Sequence, residues 1–133
     1  MSTVIDSSVL VAALVDGGGV GIWAEEILAG GSLCAPELAY AESTNILRRL
    51  ERATTITSAE ANAAQSELMQ LDIDVFSFEP FANRVWELRH NVTSYDAWYV
   101  ALAEAINAPL ATLDRHLAKA NGVACRFLMP GEG

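Results

Sequence analysis

Short apolar runs of strand character alternate with stretches of helical spacing along the chain, and this alternation limits the fold more than any other feature. TVID opens the series, and SSVLVAALV follows with capping serines and helical periodicity. Asp16-Gly17-Gly18-Gly19 breaks that helix, VGIWAEEILAG forms the next, and Gly30-Gly31 stops it. SLCA reads as a second strand. Pro36 then falls in the first turn of a long helix, PELAYAESTNILRRLERA, where its missing N–H does no harm. Ser58 is placed to cap SAEANAAQSELMQL, IDVFSF is a third strand, and Pro80 opens FANRVWELRH. Thr93-Ser94 caps YDAWYVALAEAI, and the strands LAT and ACRFL flank a short helix, RHLAKAN. Strands that alternate with helices pair in parallel, with helices covering both faces. The expectation is an α/β fold of three layers, α/β/α, around a central parallel sheet. With 133 residues and no repeat, linker or low-complexity tract, one domain over 1–133 is expected.

Four carboxylates stand at telling positions in this scheme. Asp6 ends the first strand and Asp114 follows the strand LAT. Ligand sites in open α/β sheets lie outside the carboxyl ends of the strands, so both acids are placed to face one crevice. Each also suits the cap of the helix that follows. Glu42 lies four residues after Leu38 and four before Ile46, inside an apolar stripe. A charge there is costly unless it is paired, bound to a cation, or snorkels to water. Asp96 sits in the first turn of a helix whose only other charge is Glu104. The helix dipole favours an acid there, and so apolar a helix lies close against the sheet. Clustered like charges destabilise a fold unless a cation offsets them. Oxygen-only donors suit Mg²⁺ or Mn²⁺. Neither His90 nor His116 falls in a zinc motif, and His116 reads as exposed on the last helix.

The segments VIDSSVLVAAL, PELAYAESTNILRRL, YDAWYVALAEA and LATLDRHLA, in that order, give the chain a recognisable pattern. It resembles the PIN-domain ribonucleases, and most closely the VapC-type toxins of bacterial toxin–antitoxin pairs, over essentially its whole length. The resemblance implies a PIN-like domain that cleaves single-stranded or loop RNA with Mg²⁺ or Mn²⁺. It matches Asp6, Glu42 and Asp96 to the family's three core acids and Asp114 to its more variable fourth. Ser8 matches a small polar residue beside the first acid, and Thr112 a hydroxyl near the fourth. The same resemblance implies a VapB-like antitoxin that binds beside the active site, and a homodimer. Two other readings compete with it: a PIN-fold binding module that does not cut, and a phosphoacceptor or phosphatase domain. The second predicts an acidic pair or D-x-D after the first strand, where Asp6-Ser7-Ser8 stands instead.

Charge and composition restrict the partners. Eight Lys+Arg against 17 Asp+Glu leave a net charge of −9, which excludes a broad basic groove for nucleic acid. Seven of the eight bases are Arg, which grips phosphate through two parallel hydrogen bonds. Arg48, Arg49 and Arg52 cluster late on the Glu42 helix, and Arg115, beside Asp114, is the favoured RNA contact. Four acids assigned to a cation site would no longer count against RNA. Cys34 and Cys125 form no C-x-x-C pair and suit two small buried hydrophobes in a reducing cytoplasm. The N-terminus has no basic n-region, and no apolar run reaches the ~18 residues of a membrane span. Gly17 to Gly21 is read as a connector, since no Gly-Lys-Ser/Thr follows. Trp23, Trp86, Trp98 and Tyr99 are read mainly as core aromatics, with Trp23 also placed to line a partner groove.

Overall fold

The computed structural model describes residues 1–131, so the last two positions of the expected 1–133 domain lie outside the described residues. Five strands form one parallel sheet: β1 (Ser2–Ile5), β2 (Ser32–Pro36), β3 (Ile73–Phe76), β4 (Leu110–Ala111) and β5 (Phe127–Leu128), in the order β3-β2-β1-β4-β5. Seven helices connect and cover them: α1 (Ser7–Val15), α2 (Gly19–Ala29), α3 (Ala39–Arg52), α4 (Ser58–Leu68), α5 (Ala82–Glu87), α6 (Ser94–Ile106) and α7 (Arg115–Ala118). The α/β architecture with a central parallel sheet is therefore the one expected from the alternation.

Burial explains which segments became the centre. Val4 and Ile5 of β1 are inaccessible to solvent, as strands covered on both faces must be. Val9, Leu10, Val11 and Ala12 of α1 are buried, and α6 buries Ala97 and every residue from Tyr99 to Ala103. The second helix packs close to the first because of one glycine. A Cβ at Gly21 would lie 1.8 Å from the carbonyl oxygen of Asp16, so no other residue fits there without backbone movement. Among the described residues no single helix is long and apolar enough to cross a membrane.

Four local expectations are corrected. Pro36 is not in a helix but ends β2, opposite Phe76, and the Glu37 N–H continues the ladder to the Phe76 carbonyl at 2.9 Å. The pairing of β1 with β2 stops at Cys34, so no β1 carbonyl awaits a donor from Pro36. The cap of α4 is Thr57 rather than Ser58. Thr57 has Glu60 three residues ahead, and the two complete a reciprocal capping box at 3.1 and 2.9 Å. FANRVWELRH yields a 3₁₀ turn over Glu79–Phe81 and only the short α5. Trp86 is no core residue: it is 66% exposed, with the Arg89 guanidinium 4.4 Å from its ring centroid.

One ion pair escaped the sequence reading. Arg84 of α5 grips both carboxylate oxygens of Glu104 on α6, at 2.7 and 3.0 Å, and also donates to the Gly122 carbonyl at 2.7 Å. Glu104 in turn accepts the Ala124 N–H at 2.8 Å. This clamp ties α5, α6 and the segment before β5 together, and so steadies the far end of the helix that carries Asp96.

Candidate active site

From β1 the chain winds outward to β2 and β3, then returns to the opposite side of β1 as β4. The reversal opens a crevice at the carboxyl ends of β1 and β4, where such sheets bind ligands. Asp6 leaves β1 at this point and Thr112 leaves β4. The two strands are still joined there, with the Asp6 N–H donating to the Ala111 carbonyl at 3.1 Å.

Asp6 is the N-cap of α1. Its Oδ1 accepts the backbone N–H groups of Ser8 at 3.0 Å and Val9 at 3.2 Å, together with the Ser8 hydroxyl. Its Oδ2 accepts the Thr112 hydroxyl. The residue is only 8% exposed, and burial pushes its carboxyl above the usual aspartate range despite these four donors. Ser8 and Thr112 do more than support one acid. The Ser8 hydroxyl oxygen also accepts the Leu113 N–H at 3.3 Å, and that of Thr112 accepts the Asp114 N–H at 3.0 Å. Two hydroxyls thus stitch the loop after β4 onto the carboxylate after β1.

The other three acids also begin helices. Asp114 is exposed and caps α7, accepting the N–H groups of His116 and Leu117 at 2.9 and 3.1 Å. Asp96 lies in the first turn of α6, its N–H bound to the Thr93 hydroxyl at 3.2 Å. Glu42 lies in the first turn of α3, and its Oε1 accepts the Tyr99 hydroxyl at 2.7 Å. Helix N-termini favour negative charge, which is why these acids can crowd together. They do feel one another. Burial first, then the charges of Asp114, Asp6 and Glu42, push the Asp96 carboxyl above its ordinary value. Burial and the neighbouring Glu42 likewise push the Tyr99 phenol far up, so it stays a neutral donor.

Among the described residues, no three His, Cys, Asp or Glu side chains stand close enough to grip one ion together. Asp6, Asp114 and Glu42 each accept hydrogen bonds from donors of their own. An oxygen-only set of this kind suits a hydrated hard cation, because Mg²⁺ keeps several waters and needs only one or two carboxylates. Arg115 and His116 are exposed beside Asp114, whereas Arg48, Arg49 and Arg52 are exposed along the later turns of α3. Tyr99, read from the sequence as a core aromatic, is also the donor to Glu42, a contact across 57 residues that no local pattern reports.

A family model for the PIN domain matches residues 3–123. Ribonuclease VapC1 of Mycobacterium tuberculosis is 39% identical over 125 residues, which cover 93% of this chain and 94% of that protein. Two solved structures share the fold. One is VapC20 of Mycobacterium tuberculosis, described as a sarcin-ricin loop cleaving toxin (TM-score 0.66, 17% identity, 92% of this chain and 96% of that one). The other is VapBC2 of Rickettsia felis bound to a DNA fragment from its promoter (TM-score 0.64, 13% identity, 97% and 98%). The fold and the rim of acids define a PIN domain, and the chain belongs to the PIN-domain family, among its VapC ribonucleases.

Proposed function

We propose that this protein is a divalent-cation-dependent endoribonuclease, the toxin of a VapBC-type pair, which hydrolyses single-stranded or loop RNA in the cytoplasm. One observation carries the reading: the residues after β1 and β4 share one crevice, where Thr112 donates to Asp6 and where burial, then the charges of Asp114, Asp6 and Glu42, raise the Asp96 carboxyl. A set of acids that repel one another is a liability in a metal-free fold and an asset once a cation offsets them. Mg²⁺ or Mn²⁺ would supply water activation near neutral pH and neutralise charge on the leaving oxygen.

The chain's own residues supply position. Ser8, Thr112 and two backbone N–H groups hold Asp6 rigidly at the crevice floor. Asp114 at the start of α7 and Glu42 in the first turn of α3 both lie near enough to act on Asp96. Arg115, next to Asp114, is placed to take an RNA phosphate through its guanidinium fork. Carboxylates that stay ionised toward a cation leave the attack on phosphorus to water, so no side chain need form a covalent intermediate.

A groove beside the site suits an antitoxin. A groove of about 330 Å³ begins at Ser8 and is walled by Val11, Val15, Leu50 and Ile56, with Asp16 and Glu60 at its edge. Apolar walls under an acidic edge fit an amphipathic basic segment, here assigned to a VapB-like antitoxin, with the toxin as a homodimer.

The test is cleavage of a panel of structured RNAs by purified protein, with mapping of the new 5′ ends. Cleavage should require Mg²⁺ or Mn²⁺ and stop with EDTA. Asp6→Asn and Asp96→Asn should each lower it at least about 100-fold, since altering even the groups that support a metal's ligands costs 10–100-fold. Undiminished cutting by folded Asp96→Asn protein would overturn the assignment.

A further inference from the structure

We propose that Tyr99 is a positioning residue of this site, its hydroxyl fixing the Glu42 carboxylate in the orientation that faces the other three acids. The proposal rests on the nuclease reading above and assigns a task to a residue outside the set of acids.

Packing alone does not need the Tyr99 hydroxyl. Tyr99 is 2% exposed, among the buried Val100, Ala101, Leu102 and Ala103 of α6. Phenylalanine would fill the same space, and a buried hydroxyl is costly unless it is paired. This one is paired with a charge. It donates to Glu42 Oε1 at 2.7 Å, the ordinary length of a good O–H···O bond, across 57 residues of sequence. Ser7, at the start of α1, acts on the same phenol. The hydroxyl therefore lies where α1, α3 and α6 meet, beneath the acids that these helices carry.

Glu42 needs such a partner. It is only partly buried, and its long side chain has water-facing rotamers open to it. A bond from the rigid α6 selects one of them and commits Oε1, which leaves Oε2 to serve the cation or the RNA. Tyr99 follows Asp96 by three residues, so one face of α6 presents an acid at the rim and, a turn deeper, the donor that orients a second acid. Side chains that orient metal-binding groups act this way, and their loss typically costs 10–100-fold in metal affinity or activity.

A double-mutant cycle tests the proposal, with wild type, Tyr99→Phe, Glu42→Gln and the double variant. Two readouts are taken: Mn²⁺ affinity by calorimetry without RNA, and kcat and KM on one defined RNA. Tyr99→Phe keeps the buried ring, and circular dichroism checks its fold. It should weaken Mn²⁺ binding about 10-fold and lower kcat by 10–100-fold with KM little changed. In the Glu42→Gln background the same change should alter Mn²⁺ affinity less than twofold, because the carboxylate it orients is already gone. Glu42→Asp, which withdraws the carboxylate from the phenol by one methylene, provides a second route to the same loss. Wild-type Mn²⁺ affinity and kcat in folded Tyr99→Phe would overturn the proposal, and so would losses that multiply in the double variant. Wild-type protein that neither binds Mn²⁺ nor cuts RNA overturns the nuclease reading, and this proposal falls with it.

Discussion

At the scale of single residues, the acids of the crevice pull against the fold that holds them. Asp6 is raised by burial, and Asp96 by burial and then by the charges around it. A carboxyl whose pKa is higher folded than unfolded stabilises the fold fully below its unfolded value, near 3.8 for aspartate. That contribution is lost as pH rises through the folded value. Metal-free Asp96→Asn protein should therefore be more stable than wild type at neutral pH, by about 3 °C in Tm. The gap should narrow as pH falls and close below about 3.8, where aspartate is protonated folded and unfolded alike. Thermal scans in EDTA at several pH values measure both. A variant that melts below wild type at pH 7 would mean that Asp96 contributes more as a partner than it costs as a charge. The acids stood out in the sequence for local reasons: Asp6 and Asp114 follow strands, Asp96 opens a helix, and Glu42 interrupts an apolar stripe. Tyr99 did not stand out, because no local pattern reports that its oxygen meets a carboxylate 57 residues away.

At the scale of elements, long periodic segments declared themselves and their ends did not. The helices α1, α2 and α6 fall where the apolar spacing put them. Pro36 misled because proline suits both the first turn of a helix and the unpaired end of a strand, and only the length of β1 decides between them. At α4 two candidate caps stand side by side, and the residue three positions on settles the choice. Thr57 reaches Glu60, whereas Ser58 would have only Ala61. The consequence can be measured. Thr57→Ala should cost about 1 kcal/mol, seen as a drop of a few degrees in Tm, and Ser58→Ala should change almost nothing. Equal losses from the two substitutions would return the cap to Ser58. The Arg84–Glu104 clamp lay beyond such reading, because its partners are 20 residues apart on different helices and each looks like ordinary surface charge.

At the scale of the whole molecule, the alternation of strands and helices made a parallel sheet legible, but not its order. That order decides function: only because β4 returns beside β1 do the residues after both strands share a crevice. The net charge of −9 then sets how RNA can be held. An acidic molecule repels a polyanion over most of its surface, so under the proposed function binding would rely on a cation at the crevice and on a few arginines. Salt dependence tests this, because each phosphate neutralised by the protein contributes about −0.7 to the slope of log K against log salt on single-stranded RNA. Cleavage-deficient Asp96→Asn protein, titrated with a single-stranded RNA at fixed low Mn²⁺, should give a slope between about −1 and −3, matching two to four phosphates. Arg115→Ala should flatten it by roughly one phosphate's share, while substitution of Arg89, which stacks on Trp86, should leave it unchanged. A slope steeper than about −5 would require a broad basic surface that this composition does not supply, and RNA would then have to bind away from the acidic crevice.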